Sequence, residues 1–399
     1  PTCKLDLGER VHADRAAEKG AGQLSAGSPG PSADAARYAP RDPACILRQA
    51  MSAFGASAAD RPGGGRGNQS QAGPMRILVT GASGFIGRHL VAGLQDAGHR
   101  LVCVVRRDAG TRPPAPAETC SLSWIDDIAE ESDWAPRLRG IDAVVHLAAR
   151  VHVMAEADAD PLTAYRRVNL CGTERLAEAA VAAGTRRFVY LSTIKVNGER
   201  TDRRAFRADD PPAASDPYAI SKLEAEQALW RLTGHGRTEF VVIRPPLVYG
   251  PGVRGNFERL VRLVMRGVPL PFAALENRRS MVSATNLVDF IEVCLTHPAA
   301  AGQVFLVSDG ADWSTPELVR AIAAELTHPP RLFAVAPRVL RFIAGLLGRR
   351  ALIDRLTDSL QVDIHKNQEL LRWRPKQAPA EAVRQTVRAI AAGEVSRGR

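Results

Sequence analysis

Met75-Arg76-Ile77-Leu78-Val79-Thr80-Gly81-Ala82-Ser83-Gly84-Phe85-Ile86-Gly87 decides the fold. Ile77–Val79 is a short apolar run that stops at a glycine, the pattern of a buried strand. From Phe85 to Ala97 the spacing of Phe85, Ile86, His89, Leu90 and Leu94 predicts a helix, which Gly98 ends. The glycines between strand and helix follow G-x-x-G-x-x-G. They let the backbone turn sharply and approach a pyrophosphate, which the free N–H groups and positive dipole end of the helix can bind. Gly81, Ser83, Gly84, Phe85, Ile86 and Gly87 are therefore candidate dinucleotide-binding residues. The spacing is not G-x-G-x-x-G, but strand before and helix after supply the context that gives a glycine motif its meaning.

Outward from this stretch, strands alternate with helices. Leu101–Val105, Ser121–Ile125, Ala143–Leu147, Arg187–Ser192 and Phe240–Ile243 read as further buried strands. Tyr165–Ala183 and Tyr218–Leu232 read as helices. That rhythm predicts an α/β fold with a doubly wound, Rossmann-type parallel sheet. After Arg244 the pattern becomes irregular, with helices over Asn256–Arg266, Asn286–Thr296, Thr315–Leu326 and Pro379–Ala392 and a strand over Val304–Val307. The expected division is a dinucleotide-binding domain over 75–245 and a smaller mixed α/β substrate part over 246–395. Residues 1–74 are rich in Gly, Ala, Ser, Pro and Gln without apolar periodicity, and are expected to be a disordered extension. A start placed upstream of the native one at Met75 and a regulatory or targeting tail are the two readings of it.

The composition, 45% hydrophobic and 24% charged, is that of a soluble globular protein. The net charge of +10 does not gather into Lys/Arg runs with interleaved aromatics, which argues against nucleic acid as a partner. Six cysteines make no C-x-x-C and have no zinc-ligand spacing with histidine, so no metal is expected and the thiols suit a reducing, cytoplasmic compartment. Val335–Leu347 is apolar but broken by Arg338, Arg341 and Gly345, too short and too charged to span a bilayer. A packed helix is expected there, with a surface-lying amphipathic helix as the alternative. His146, His152 and Glu156 could suggest a metal, but His146 at the end of a buried strand is expected to serve packing.

Two further stretches carry chemistry. At the end of the second strand, where an acid favours NAD and an arginine accommodates the 2′-phosphate of NADP, the chain has Arg106-Arg107-Asp108. The arginines lean toward NADP(H), and Asp108 keeps NAD(H) open. Tyr218-Ala219-Ile220-Ser221-Lys222 is Y-x-x-x-K at a helix start, so phenol and ammonium share one face a turn apart. A phenol with pKa of about 10 is a poor base near neutrality, and a neighbouring ammonium is expected to lower that pKa. Such a tyrosine could exchange a proton with a sugar hydroxyl or ketone as hydride moves. Ser192 and Thr193, at the carboxyl end of the fifth strand, could hold the reacting oxygen.

From Met75 onward the chain resembles the extended short-chain dehydrogenase/reductase family, in particular its nucleotide-sugar epimerases, dehydratases and 4-ketoreductases. The carriers are Thr80–Gly87, Asp127-Ile128, His146-Leu147-Ala148-Ala149, Asn169, Thr193, Tyr218, Lys222 and Arg244-Pro245. The resemblance implies that Asp127 and Ile128 meet the adenine and that Leu147, Ala148, Ala149 and Pro245 line the dinucleotide. It implies catalysis by Tyr218, Lys222 and Thr193, with Lys222 also on the nicotinamide ribose and Asn169 supporting the active-site loop. Ser192, Lys195, Asn256 and Arg279 are expected near a nucleotide-sugar substrate, Arg279 as a diphosphate clamp. Val196-Asn197-Gly198 departs from the family's usual Val-Tyr-Gly and resembles a subgroup tied to bacterial surface-polysaccharide synthesis. A homodimer paired through helices of the sheet domain is also implied.

The expected activity is NAD(P)-dependent chemistry at C4 of a UDP-hexosamine type of sugar, with reduction of a 4-keto-6-deoxy sugar favoured by the arginines. A UDP-sugar 4-epimerase is the first alternative. A reductase of small ketones or steroid-like alcohols is another. A cofactor-binding sensor without chemistry is the alternative from a different class, and the retention of both Tyr218 and Lys222 argues against it.

Overall fold

The computed structural model describes residues 73–107, 118–131, 133–151, 160–326, 329–346, 348 and 350–397. The expectations for 1–72, Asp108, His152 and Glu156 lie outside the described residues. The strands are β1 (Arg76–Thr80), β2 (Arg100–Arg106), β3 (Cys120–Ile125), β4 (Ala143–His146), β5 (Arg187–Leu191), β6 (Glu239–Arg244), β7 (Leu247–Tyr249), β8 (Arg279–Ser283), β9 (Gln303–Leu306) and β10 (Asp312–Trp313). The helices are α1 (Phe85–Asp96), α2 (Ala135–Leu138), α3 (Pro161–Arg166), α4 (Gly172–Ala182), α5 (Pro217–Arg231), α6 (Asn256–Met265), α7 (Ala284–Thr296), α8 (Thr315–Glu325), α9 (Pro337–Leu346), α10 (Arg350–Thr357), α11 (His365–Leu371) and α12 (Pro379–Arg397).

Seven strands form one parallel sheet in the order β3-β2-β1-β4-β5-β6-β9. Successive side chains of a strand point to opposite faces. Ile77 and Val79 therefore pack with Leu90 and Leu94 of α1 and Leu287, Ile291 and Cys294 of α7. Leu78 faces the other way, into a core with Leu176 and Ala177 of α4 and Ala225 and Leu229 of α5. The chain leaves β1 toward β2 and β3, then returns to β4 on the other side of β1. That reversal places the carboxyl ends of β1 and β4 side by side, with Thr80 opposite His146. Ligands of open α/β sheets bind at such a switch point. A second sheet, β10-β8-β7, branches off directly after β6.

The long helix expected over Tyr165–Ala183 is divided. Asp160 caps α3, a π-helical turn occupies Arg167–Cys171, and α4 follows. The extra residue of a π turn only shifts the phase of an otherwise continuous helical pattern, which is why the spacing alone missed it. The strands β7 and β10 escaped because three and two residues are too few to show alternation. Among the described residues, no helix is long and apolar enough to cross a membrane, and no group of three or more His, Cys, Asp or Glu could hold a metal ion.

Candidate active site

The glycine turn is shaped by close contact. Gly81 has φ of +70°, and a Cβ there would lie 2.8 Å from the backbone nitrogen of Ala148. A Cβ on Gly87 would lie 2.1 Å from the carbonyl oxygen of Gly81. No side chain fits at either position, so the start of α1 lies directly on the end of β1. Gly84 is the helix N-cap, with no side-chain cap and no acid in the first turn. The N–H groups of that turn thus have no acidic side chain of their own turn beside them, which fits the pyrophosphate of a dinucleotide. The loop Leu147–Ala149 lies against Thr80 and Gly81. The amide of Leu147 donates to the Thr80 carbonyl at 3.3 Å, and that of Ala148 to Thr80 Oγ1 at 3.2 Å.

At the far end of β2, Arg106 is exposed, and Arg107 Nε lies 2.9 Å from Asp126 on the surface. Arg106 is thus the more available of the two for a ribose phosphate. Asp127 accepts the Ala129 amide at 2.9 Å and is 2.7 Å from Arg167. Ile128 is buried against Gly172, where a Cβ would come within 3.1 Å of its side chain.

The catalytic candidates come from two segments, the turn that follows β5 and the helix α5. Thr193 caps the 3₁₀ turn Ile194–Val196 and is hydrogen-bonded to Tyr218. Tyr218 stands in the first turn of α5, its ring edge-to-face with Tyr165 at 5.9 Å. Lys222, one turn on, is buried, and its Nζ sits 4.1 Å from the centroid of the Tyr190 ring. The expected lowering of the Tyr218 pKa is not what this arrangement produces. Burial first, then the charges of Asp216 and Tyr165, push the phenol up, and the Thr193 hydrogen bond offsets this only in part. Burial also brings Lys222 down to about 7.

Two expected substrate residues are committed elsewhere. Ser192 donates to Glu226 in a buried cluster, where Arg244 binds both oxygens of Glu226 at 2.5–3.2 Å and the Asn197 side chain at 2.9 Å. Lys195 is paired with Asp216 and, at 3.1 Å, with Glu199. Asp216 also accepts the Ala219 amide at 2.7 Å as the cap of α5. Lys195 thus fixes the helix start that carries Tyr218. The Glu226 cluster was missed in the sequence, although Glu226 follows Lys222 by four residues on the same helix face.

A directional hydrogen-bond chain joins the Leu147–Ala149 loop to α5. The Thr173 hydroxyl donates to the Asn169 carbonyl at 2.6 Å, so its oxygen accepts from His146 Nε2 at 2.9 Å. His146 Nδ1 then accepts from Thr80 Oγ1 at 2.6 Å, and Thr80 in turn accepts from Ala148. Burial, with Lys222 adding to it, lowers the His146 pKa to about 3, so the ring is neutral. The Asn169 amide donates to the Arg150 carbonyl at 3.1 Å and to Ser221 Oγ at 2.9 Å, and Ser221 donates to the Tyr218 carbonyl at 2.7 Å. The π turn carries Asn169 into this position.

The other residues expected near a substrate are more dispersed. The Pro245 carbonyl accepts the Ile194 amide at 2.9 Å and borders the catalytic turn. Asn256 opens α6 and is exposed. Arg279 begins β8 and donates to the Asp358 carbonyl at 2.9 Å. A guanidinium spent on a backbone carbonyl keeps part of its fork for another acceptor.

The model of the NAD dependent epimerase/dehydratase family matches residues 77–308, from β1 through β9. The chain belongs to that family. Among its relatives in the epimerase/dehydratase family is a UDP-glucose 4-epimerase of Vibrio cholerae, 44% identical over 319 residues, 79% of this chain and 96% of the relative. A UDP-glucose 4-epimerase of Mycolicibacterium smegmatis is 30% identical over 330 residues, covering 78% and 97%. In structure the epimerase/dehydratase chain is similar to MoeE5 in its complex with UDP-glucose and NAD, with a TM-score of 0.62 and 26% identity over 80% of this chain and 99% of that one.

Proposed function

We propose that this enzyme epimerises a UDP-hexose at C4 with a dinucleotide held across the switch point of β1 and β4. The Tyr218–Thr193 pair beside buried Lys222 carries the reading. The similarity to the Vibrio cholerae UDP-glucose 4-epimerase, over nearly its whole length, supports it. When bound, a nicotinamide dinucleotide supplies reversible hydride transfer. Gly81, Ser83, Gly84, Phe85, Ile86 and Gly87 would hold its pyrophosphate, with Leu147, Ala148, Ala149 and Pro245 along its length and Asp127 and Ile128 at its adenine. Lys222 would hold its ribose. Thr193 orients the C4 oxygen, and Tyr218 takes its proton in one direction and returns it in the other. Asn256 and Arg279 would bind the UDP.

A second reading, reduction of a 4-keto sugar, is favoured by the exposed Arg106 at the end of β2. Incubation with UDP-glucose and with UDP-N-acetylglucosamine, without added reductant and followed by NMR, separates the two. The 4-epimer is expected to accumulate to equilibrium. No epimer, together with stoichiometric NADPH consumption on a 4-keto sugar nucleotide, overturns the first reading in favour of the second.

A further inference from the structure

We infer that helix α9 is a docking element for an anionic membrane surface. Helix α9 (Pro337–Leu346) is apolar on two sides. Leu340 and Ala344 are buried, Leu340 within the core that also holds Val319, Ile322 and Val383. Facing away from them, Val339 is 46% exposed, Phe342 69%, Ile343 47% and Leu346 74%. At about 100° per residue these four side chains share an arc roughly a quarter of the helix circumference wide. Upstream, Phe333 is 49% exposed as well. Single exposed hydrophobes are ordinary on a protein surface, whereas a stripe of four large ones on a single helix face marks an interaction site.

The charge around the stripe selects the partner. Between Arg331 and Asp358 the chain has six arginines against two aspartates, and both aspartates come after the helix. Arg338 lies on the flank of the stripe beside Phe342. Arg341 is held by Asp354 at 3.5 Å and Asp358 at 2.6 Å, and Arg350 reaches Asp354 at 3.8 Å. Those two aspartates thus answer the arginines on the α10 side, while no acidic residue lies within α9 itself. A helix with a bulky apolar face in a net-positive segment lies in the interface plane of a membrane, its apolar side chains among the acyl chains and Arg338 at the anionic headgroups. An interface with a second copy would bring Arg338 and its net-positive segment against their own equivalents without an acidic counterpart in the helix. Helix α9 is far too short to span, so the contact is peripheral and reversible. The inference is independent of the reaction proposed above.

The test is sedimentation of the full chain with vesicles of pure phosphatidylcholine and with vesicles containing about one third phosphatidylglycerol. The protein is expected to co-sediment with the anionic vesicles and to be released by salt. Phe342→Ser with Leu346→Ser, both on the exposed face, is expected to lower the partition roughly tenfold or more while leaving the melting temperature unchanged. Arg338→Glu is expected to weaken binding to the anionic vesicles alone. Equal recovery in the supernatant with and without vesicles overturns the inference. So does undiminished vesicle binding by the double serine variant, or a concentration-dependent dimer that this variant abolishes.

Discussion

At the scale of single residues, the proposed chemistry rests on the Tyr218 hydroxyl and its hydrogen bond to Thr193. Tyr218→Phe keeps the ring against Tyr165 and removes only the hydroxyl bonded to Thr193. Turnover is expected to fall by at least about a thousandfold with dinucleotide binding unchanged, read by steady-state kinetics beside calorimetric titration. Residual activity within tenfold of the parent would remove Tyr218 from the mechanism. Arg106→Asp tests the other end of the dinucleotide. A carboxylate there is expected to move preference from NADPH toward NADH, measured as the ratio of the two dissociation constants, and an unchanged ratio rejects Arg106 as the phosphate reader. The placement of Tyr218, Lys222 and Thr193 was legible because each sits at a fixed offset from a strand or helix end. The commitments of Ser192 and Lys195 were not, because their partners Glu226 and Asp216 lie 34 and 21 residues away and only the fold brings them together.

At the scale of elements, α5 carries Tyr218 and Lys222, the residues proposed for catalysis, and its first turn is held by Asp216. Burial works to raise that carboxyl, but hydrogen bonds from Lys195 and the Ala219 amide outweigh it, and the group titrates below its usual range. Asp216→Ala removes both the cap and the partner of Lys195. A loss of about 1–2 kcal/mol and a melting temperature lower by about 2–4 °C are expected. Asp216→Asn restores the cap without the charge and is expected to recover most of the stability while kcat remains reduced. Calorimetry and kinetics on the pair separate capping from positioning, and equal kcat in Asn and parent would dismiss the charge contribution. The start of α5 was readable from Asp216, Pro217 and the Y-x-x-x-K spacing. The π turn before α4 was not, since it changes helix phase without changing residue type, yet it brings Asn169 to Ser221 and Arg150.

At the scale of the whole molecule, neutral His146 couples the site to stability. Its folded pKa of about 3 lies below the unfolded 6.5, so the unfolded chain binds the extra proton between those values. Stability from this ring is complete above about pH 6.5 and falls as the pH drops toward 3, by about 2 kcal/mol at about pH 5. Lys222 acts in a higher window. Its folded pKa of about 7 lies below the unfolded 10.5, so stability rises as the pH climbs between them. Urea unfolding across pH is expected to give a shallower acid slope for His146→Gln than for the parent, and parallel slopes would contradict the assignment. The sheet itself was legible from alternation, but its last strand carries a consequence of its own. Strand β9 lies against β6 although some sixty residues of the smaller sheet and its helices intervene. On the ribosome, β6 therefore waits as an open edge until residues 303–306 emerge. A nascent chain that stalls before then offers an unpaired, apolar strand to chaperones and to other nascent chains.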